Sequence, residues 1–349
     1  MPHSGATFCD PGELGKVATL GLHAYNYNCR SEAALGTGQV SASHLSHRYS
    51  AVEYPKFMTL NRVTIIIPST CADERCETLR RAVKSLSVQD VGCPSILIVA
   101  NGPRVNVALL KEIASQPQIK VLRLAEGSVA RAQAMGRAHV FTSYFGFLDD
   151  DDEYSPDALR LRLNALEGDP EAAACATDGY DFTDGIDQIR ETISPEAQQD
   201  PLRGLLRGNW LASCGGLFRS HLVPESFFDG VTQYFEWTLL AYKLASSRRV
   251  VLLNTPTYRL YASAGSLSRS ENYRLAEPEV LKKICLLDLP SDVRRAVRQR
   301  VGRAYHSLSG HFFRKGQLHD AWGFHARSLL QPDGWRYASY TARLLKFWA

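Results

Sequence analysis

The stretch Tyr144-Phe145-Gly146-Phe147-Leu148-Asp149-Asp150-Asp151-Asp152-Glu153 runs from a short apolar strand pattern straight into five consecutive acids. Adjacent carboxylates repel one another, so a fold gathers them at a strand end only with a counter-charge. Hard divalent cations such as Mg2+ and Mn2+ take oxygen ligands and sit between carboxylates and substrate phosphates. The stretch therefore predicts a metal–phosphate site at the C-terminal edge of a sheet, where open α/β folds bind ligands. The competing reading is a solvated charge run of the kind found in disordered tails. It is the weaker one here. Apolar residues precede the acids, and Ser155-Pro156-Asp157-Ala158-Leu159 follows as a helix start, with proline and acid in the first turn.

Outward from the acids, the N-terminal side alternates strand and helix patterns. Arg62-Val63-Thr64-Ile65-Ile66-Ile67-Pro68 is a β-branched run closed by proline, and Ser95 to Ala100 is a second such run, closed by Asn101-Gly102-Pro103. Between them Leu79, Ala82, Val83 and Leu86 share one helical face. Val107 to Ala114 reads as helix, Lys120 to Leu124 as strand and Val129 to Phe141 as helix. The order β-α-β-α-β-α-β implies an α/β fold, a mostly parallel Rossmann-like sheet flanked by helices. Beyond the acids we expect a helix to about Leu166 and strands at Ala172 to Thr177 and Leu211 to Phe218. A helix at Tyr234 to Ala245 and late strands at Val250 to Leu253 and Thr257 to Leu260 complete this part. After about Ser270 the pattern is helical, with one stripe at Val293, Val297, Val301, Ala304 and Leu308 and another at Leu318, Ala321, Trp322, His325 and Leu329. The two make a hairpin joined near Lys315-Gly316-Gln317, suited to packing on the main domain, recruiting a peptide or pairing two copies in a homodimer. Residues 1–60, rich in Gly, Ser, His, Asn and Tyr, read as an irregular extension. The expected division is 1–60 extension, 61–268 catalytic domain and 269–349 helical region.

Composition excludes several classes. With 349 residues, 45% hydrophobic and 22% charged, the chain is ordinarily globular. A net charge of +4 from 40 basic and 36 acidic residues does not argue for a nucleic-acid partner. The longest apolar runs are too short for a transmembrane segment, and the N-terminus lacks a basic region followed by a long apolar stretch. The 8 cysteines are scattered, without a C-x-x-C pair, which suits reduced cytoplasmic thiols and disfavours zinc. These features predict a cytoplasmic chain, with any membrane association peripheral, at the inner face of the membrane. Spacing removes rival acidic motifs. An EF-hand counted from Asp149 would need glycine where Tyr154 stands and glutamate where Arg160 stands. A haloacid-dehalogenase-like phosphatase would need Thr or Val at Glu153, and neither a Walker loop nor G-x-S-x-G occurs.

Taken in order, the blocks resemble family 2 glycosyltransferases with the A-type fold, over about 62–268. The resemblance rests on the strand ending at Pro68, on Gln89, on Val99-Ala100-Asn101-Gly102, on Ala132 to Gly136 and on Leu148-Asp149-Asp150-Asp151-Asp152. It continues through Gly208-Asn209-Trp210, Gly216-Leu217-Phe218-Arg219, Phe228-Asp229-Gly230, Glu236-Trp237 and Tyr258-Arg259 with Ser268. It implies an inverting, metal-assisted transfer of a sugar from a nucleotide-diphosphate sugar, UDP-linked in the usual case, with a DXD-type acidic motif. Pro68, Ser69, Asn101, Arg131, Asp149 and Asp150 are then expected to bind the nucleotide sugar. Asp149 and Asp151 would hold Mn2+ or Mg2+, Glu236 would be the general base, and Trp237 and Trp210 would lie on the acceptor side. The acceptor stays open among a glycan, a lipid-linked sugar, a natural product and a peptide. Departures from the family pattern are Ala100 for the base-binding aspartate, Gln133 and Ala134 in the helix block, and Tyr261 where a histidine is often found. They motivate an alternative, a catalytically decayed binding or scaffold protein on the same fold. Asp178 and Asp181 are read as turn residues, since Asp178-Gly179 is a strong turn signal.

Overall fold

The computed structural model describes residues 59–231, 233–261 and 270–346. The strands are β1 Thr59–Ser69, β2 Cys93–Asn101, β3 Ile119–Leu124, β4 Tyr144–Phe147, β5 Glu153–Tyr154, β6 Ala172–Thr183, β7 Ile186–Ile189, β8 Gly216–Arg219 and β9 Arg249–Tyr261. The helices are α1 Cys76–Ser87, α2 Val107–Ala114, α3 Val129–Ala138, α4 Ala158–Gly168, α5 Pro195–Gln199, α6 Pro201–Gly204 and α7 Glu236–Ser247. The helical end of the chain supplies α8 Glu271–Cys285, α9 Ser291–Arg314, α10 Leu318–Leu329 and α11 Ser339–Leu345. The extension expected over 1–60 and Ser268 of the closing block lie outside the described residues, apart from the first two residues of β1.

The strands form one sheet in the order β3-β2-β1-β4-β8-β6-β9-β5, with β7 on β6. The first four are parallel, and β8 then runs antiparallel to both β4 and β6. In β1 and β2, apolar side chains alternate between two cores. Ile66, Leu97 and Val99 enter one, while Val63, Ile65, Ile67, Ile96 and Ile98 enter the other. That is why these runs read as continuous hydrophobic stretches: both faces of a parallel sheet are covered. The second core packs Leu79, Ala82 and Leu86 of α1 and Leu159 and Leu163 of α4. The first core takes Ala132 of α3 and Leu239 and Leu240 of α7, then continues into Ile284, Val293, Val297, Val301 and Tyr305 of α8 and α9. The helical region thus shares the apolar core of the sheet.

The expected hairpin is α9 and α10. Its joint is closed by Gly316 at φ +75, with Gly316 N–H donating to Phe313 O at 3.0 Å and Gln317 N–H to Phe312 O at 3.0 Å. These two bonds satisfy carbonyls that the last helical turn leaves open.

Three expectations change. The two late strands are one, β9, because Pro256 sits opposite Asp178 at a register shift, where a missing ladder N–H is tolerated. Asp178-Gly179 is not a turn but lies inside β6. A Cβ on Gly179 would stand 2.2 Å from the Tyr258 ring, so the glycine is there for close approach. The strand expected from Leu211 shrinks to β8, because Asn209 Nδ2 donates to Leu211 O and Gly215 N–H donates to Ala212 O, folding that stretch into a turn.

Candidate active site

The parallel strands β3-β2-β1-β4 place the reversal of strand order between β1 and β4. In such sheets the ligand crevice opens outside the carboxyl ends of those two strands. Pro68 and Ser69 end β1, Asn101 ends β2, and Asp149 and Asp150 follow β4. Ser69 Oγ donates to Asp150 Oδ2 at 2.5 Å, and Asn101 Nδ2 donates to Ser69 O at 3.0 Å. Five of the expected nucleotide-sugar residues are therefore gathered at one edge. The sixth, Arg131, lies in the first turn of α3, where its exposed guanidinium pairs with Glu126.

Gln89 holds the segment beyond the acids in place. Buried at the end of α1, its Nε2 donates to Ser155 O at 2.8 Å and its Oε1 accepts from Leu159 N–H at 3.1 Å. The acids themselves divide. Asp150 and Asp151 pair with Arg75, at 3.3 and 2.8 Å. Glu153 lies 3.8 Å from Arg81 and 3.7 Å from Arg259, and it also accepts from the Tyr261 hydroxyl. Asp149 and Asp152 have no Lys or Arg partner within ion-pair distance among the described residues. Three of the five acids thus find the required counter-charge in arginine side chains rather than in a cation.

The remaining pair is where the strain concentrates. Burial, with Asp152 beside it, pushes the Asp149 carboxyl well above the usual range. Burial, with Asp151 next, pushes Asp152 up to about 7, and burial pushes Asp150 up to about 6. Asp149, Asp152 and Cys214 each offer one ligand atom, and these atoms lie within 4.8 Å of one another. Oxygen donors of this kind fit a hard divalent cation, whereas the Cys214 thiol, pushed up by burial, donates to Asp152 Oδ2 at 3.1 Å and is a poor ligand for one. Of the expected metal pair, Asp149 converges with Asp152, while Asp151 lines the same cavity and pairs with Arg75. Tyr261 gives its hydroxyl to Glu153 and its backbone N–H to Asp152 Oδ1 at 3.0 Å, so it anchors an acid rather than standing in for a histidine ligand.

Because these carboxyl pKa values are raised on folding, the native state keeps protons that the unfolded chain releases. Stability is therefore fully present below about pH 4 for these groups and is lost as pH rises toward about 7. A cation at Asp149 and Asp152 offsets that loss. The rise in melting temperature produced by Mn2+ is expected to be larger at pH 8 than at pH 5, as read by calorimetry. An equal rise at both pH values would contradict the assignment.

Asp149, Asp151 and Asp152 line a cavity of 540 Å³ that also receives Glu236 and Trp237. Glu236 is the first residue of α7, where the helix dipole favours an anion. Burial nevertheless raises its pKa, with backbone amides at Tyr234 and at Glu236 itself holding it back. The turn before it is strained: Tyr234 and Phe235 have φ +79 and +55. Left-handed non-glycine residues cost on the order of 1–3 kcal/mol each and persist only where their surroundings hold them. Here Tyr273 of α8 holds them, with its ring 4.1 Å from that of Phe235 and 5.9 Å from that of Tyr234. Trp237 packs edge-on against Phe147 with the ring centroids 5.1 Å apart. Trp210 departs from expectation. It is 0% exposed, bonded through Nε1 to Pro201 O at 2.8 Å, and belongs to the core rather than to the acceptor side. Asp178 is equally structural, accepting from Thr192 N–H at 2.9 Å and so fixing a residue of the cavity wall. Asp181 pairs with Arg190 at 2.7 Å.

Sequence reasoning did not single out Asp152 and Cys214 as partners of Asp149, or Arg75, Tyr273, Arg190 and Arg300 as residues of the site. Asn209 was flagged only as part of a block. It lines the cavity and its Nδ2 lies 3.4 Å from Thr238 Oγ1 on the helix of Glu236.

A mixed sheet with a parallel nucleotide-type half, helices on both faces and an acidic cavity shared with a half-buried carboxylate defines an A-type glycosyltransferase fold. Residues 64–220 match the family model Glycosyl transferase family 2, and that segment is a domain of this family. Among solved structures, the chain is similar to S. aureus TarS, with a TM-score of 0.53 and 14% identity over 70% of this chain and 43% of TarS. It is also similar to S. aureus TarS 1-349 in complex with UDP-GlcNAc, with a TM-score of 0.56 and 12% identity over 76% of this chain and 80% of that one. At such identities the likeness concerns the fold. A curated relative, the uncharacterized protein y4gI of Sinorhizobium fredii (strain NBRC 101917 / NGR234), is 26% identical over 173 residues, 48% of this chain. The chain spans 19% of the length of that relative. No helix among the described residues is long and apolar enough to cross a membrane.

Proposed function

We propose that this chain is an inverting glycosyltransferase. It moves a sugar from a nucleotide-diphosphate sugar, with a UDP-linked donor as the first candidate, to an acceptor hydroxyl. The observation that carries the reading is the cavity that holds Asp149, Asp151 and Asp152 together with the half-buried Glu236. The family match of 64–220 and a relative of the same fold in complex with UDP-GlcNAc support it. Residues 61–268 form the catalytic part in this reading, and 269–349 brace it through Tyr273.

With the Cys214 thiol orienting Asp152, Asp149 and Asp152 would hold a divalent cation. When bound, it supplies Lewis-acid stabilisation of the departing diphosphate. The residues of the chain do the rest. Ser69 orients Asp150 toward the crevice between β1 and β4, where the two would meet the ribose hydroxyls. Glu236, desolvated and therefore more basic than a surface carboxylate, takes the proton of the acceptor hydroxyl. The acceptor oxygen forms its bond to the anomeric carbon as the bond to the diphosphate breaks, so one displacement inverts that centre. The aromatic wall of Trp237, Tyr258 and Phe235 suits the apolar face of a sugar ring. A panel of nucleotide sugars with Mn2+ tests the reading through release of nucleoside diphosphate. One donor is expected to be turned over and a chelator to stop it. Binding of nucleotides without turnover of any donor would instead favour the decayed, scaffold-type alternative.

A further inference from the structure

The mechanism above leaves Arg75 unused, although it is the cation most closely engaged with the acids. It lies just beyond the end of β1, after a turn in which Cys71 takes φ +49 and accepts Asn106 N–H through its carbonyl at 2.8 Å. The turn therefore fixes the direction in which the chain leaves the strand. Nη1 of Arg75 donates to Asp151 Oδ2 at 2.8 Å and stands 3.3 Å from Asp150 Oδ1. The guanidinium is 34% exposed, so it borders solvent rather than being sealed in the core. It meets Asp150, whose other oxygen accepts from Ser69 at the end of β1, so it stands beside the β1/β4 switch point. Guanidinium groups match phosphate oxygens in planar, two-pronged fashion, and a diphosphate is a stronger anion than either carboxylate.

We propose that Arg75 is the internal counter-ion of the donor crevice: it neutralises Asp150 and Asp151 in the free protein and passes to the diphosphate when a donor binds. The inference rests on the nucleotide-sugar reading of the site but goes beyond it, since it assigns diphosphate binding to a named side chain. Transfer of Arg75 also frees Asp151, so the same motion changes the charge that faces the cavity. Arg80 and Arg81 are poorer candidates. Arg80 is taken by Glu77 and Glu112, while Arg81 stacks on Tyr261 at 3.7 Å and donates to Asp151 O.

The test compares nucleosides with nucleoside diphosphates. Calorimetric titration in Mn2+ of the full chain, its Arg75→Gln variant and its Arg75→Lys variant uses UDP, GDP, ADP and CDP and their nucleosides. Arg75→Gln is expected to weaken the preferred diphosphate by about tenfold to a hundredfold, to leave the matching nucleoside unchanged, and to be partly rescued by Arg75→Lys. Mn2+ titrated alone is expected to bind Arg75→Gln more tightly than the wild type, because two carboxylates lose their cation. An unchanged ratio of diphosphate to nucleoside affinity in Arg75→Gln, with the wild type binding normally, overturns the proposal and leaves the nucleotide reading intact. Equal weakening of nucleoside and diphosphate, or failure of Arg75→Lys to restore any affinity, would mean a structural role and overturn it too. A wild type that binds none of the diphosphates overturns both readings.

Discussion

Replacing Glu236 by glutamine lowers turnover by about two to four orders of magnitude, the span a positioned general base supplies. Donor affinity stays close to wild type. The prediction follows from three observations at the same residue. The side chain lines the cavity of the acids, it is desolvated enough to raise its pKa, and a turn with two left-handed residues fixes its position. Glutamine keeps the shape and hydrogen-bonding capacity of the site but accepts no proton. Steady-state kinetics with a donor and an acceptor, together with a donor titration, separate the two quantities. A variant that loses donor binding in parallel with turnover would show that Glu236 holds the fold of the crevice instead. The same argument makes Tyr273 a positioning residue, since its ring braces Phe235 and Tyr234.

Asp149→Asn carries an opposite pair of effects. Activity is expected to fall by about three orders of magnitude or more, because one of the few oxygen ligands of the cation is gone and several kcal/mol of leaving-group stabilisation go with it. Stability of the metal-free protein is expected to rise at pH 8. Wild-type Asp149 is half-buried beside Asp152, and desolvation together with the field of that neighbour disfavours its charge. Asparagine removes the charge with little change of shape. Functional sites commonly hold such locally unfavourable groups, and neutralising them trades activity for stability. Melting curves without metal at pH 8, beside turnover with Mn2+, read both effects. A variant that is inactive and also less stable would mean that Asp149 is a structural acid.

The sheet was legible because burial on both faces leaves nearly unbroken apolar runs. The strands of β1 to β4 and the helices between them follow the hydrophobic pattern, and α2 has the bounds its pattern set. What failed was local chemistry overridden by packing. Gly179 looked like half of a turn and is a flat seat for Tyr258, while the gap expected between two late strands is a register shift at Pro256 within β9. Trp210 stood in a block associated with acceptors, yet its large apolar surface fills the core. In the site, the acids, Ser69, Asn101 and Glu236 were readable from position within ordered blocks. The division of the acids was not. It depends on Arg75 and Cys214, which lie far from them in sequence, and on the direction in which each successive carboxylate leaves a bent segment. Residue order alone does not encode which of four adjacent aspartates faces a cation.

We propose that Asp149 and Asp152, not the arginine-paired Asp150 and Asp151, seat the cation in the cavity of Glu236. The decisive measurement is anomalous diffraction from crystals of the full chain grown with Mn2+ and UDP. A manganese peak is expected at the Asp149 and Asp152 carboxylates. A peak held by Asp150 and Asp151 alone, or by surface acids remote from Glu236, would contradict it.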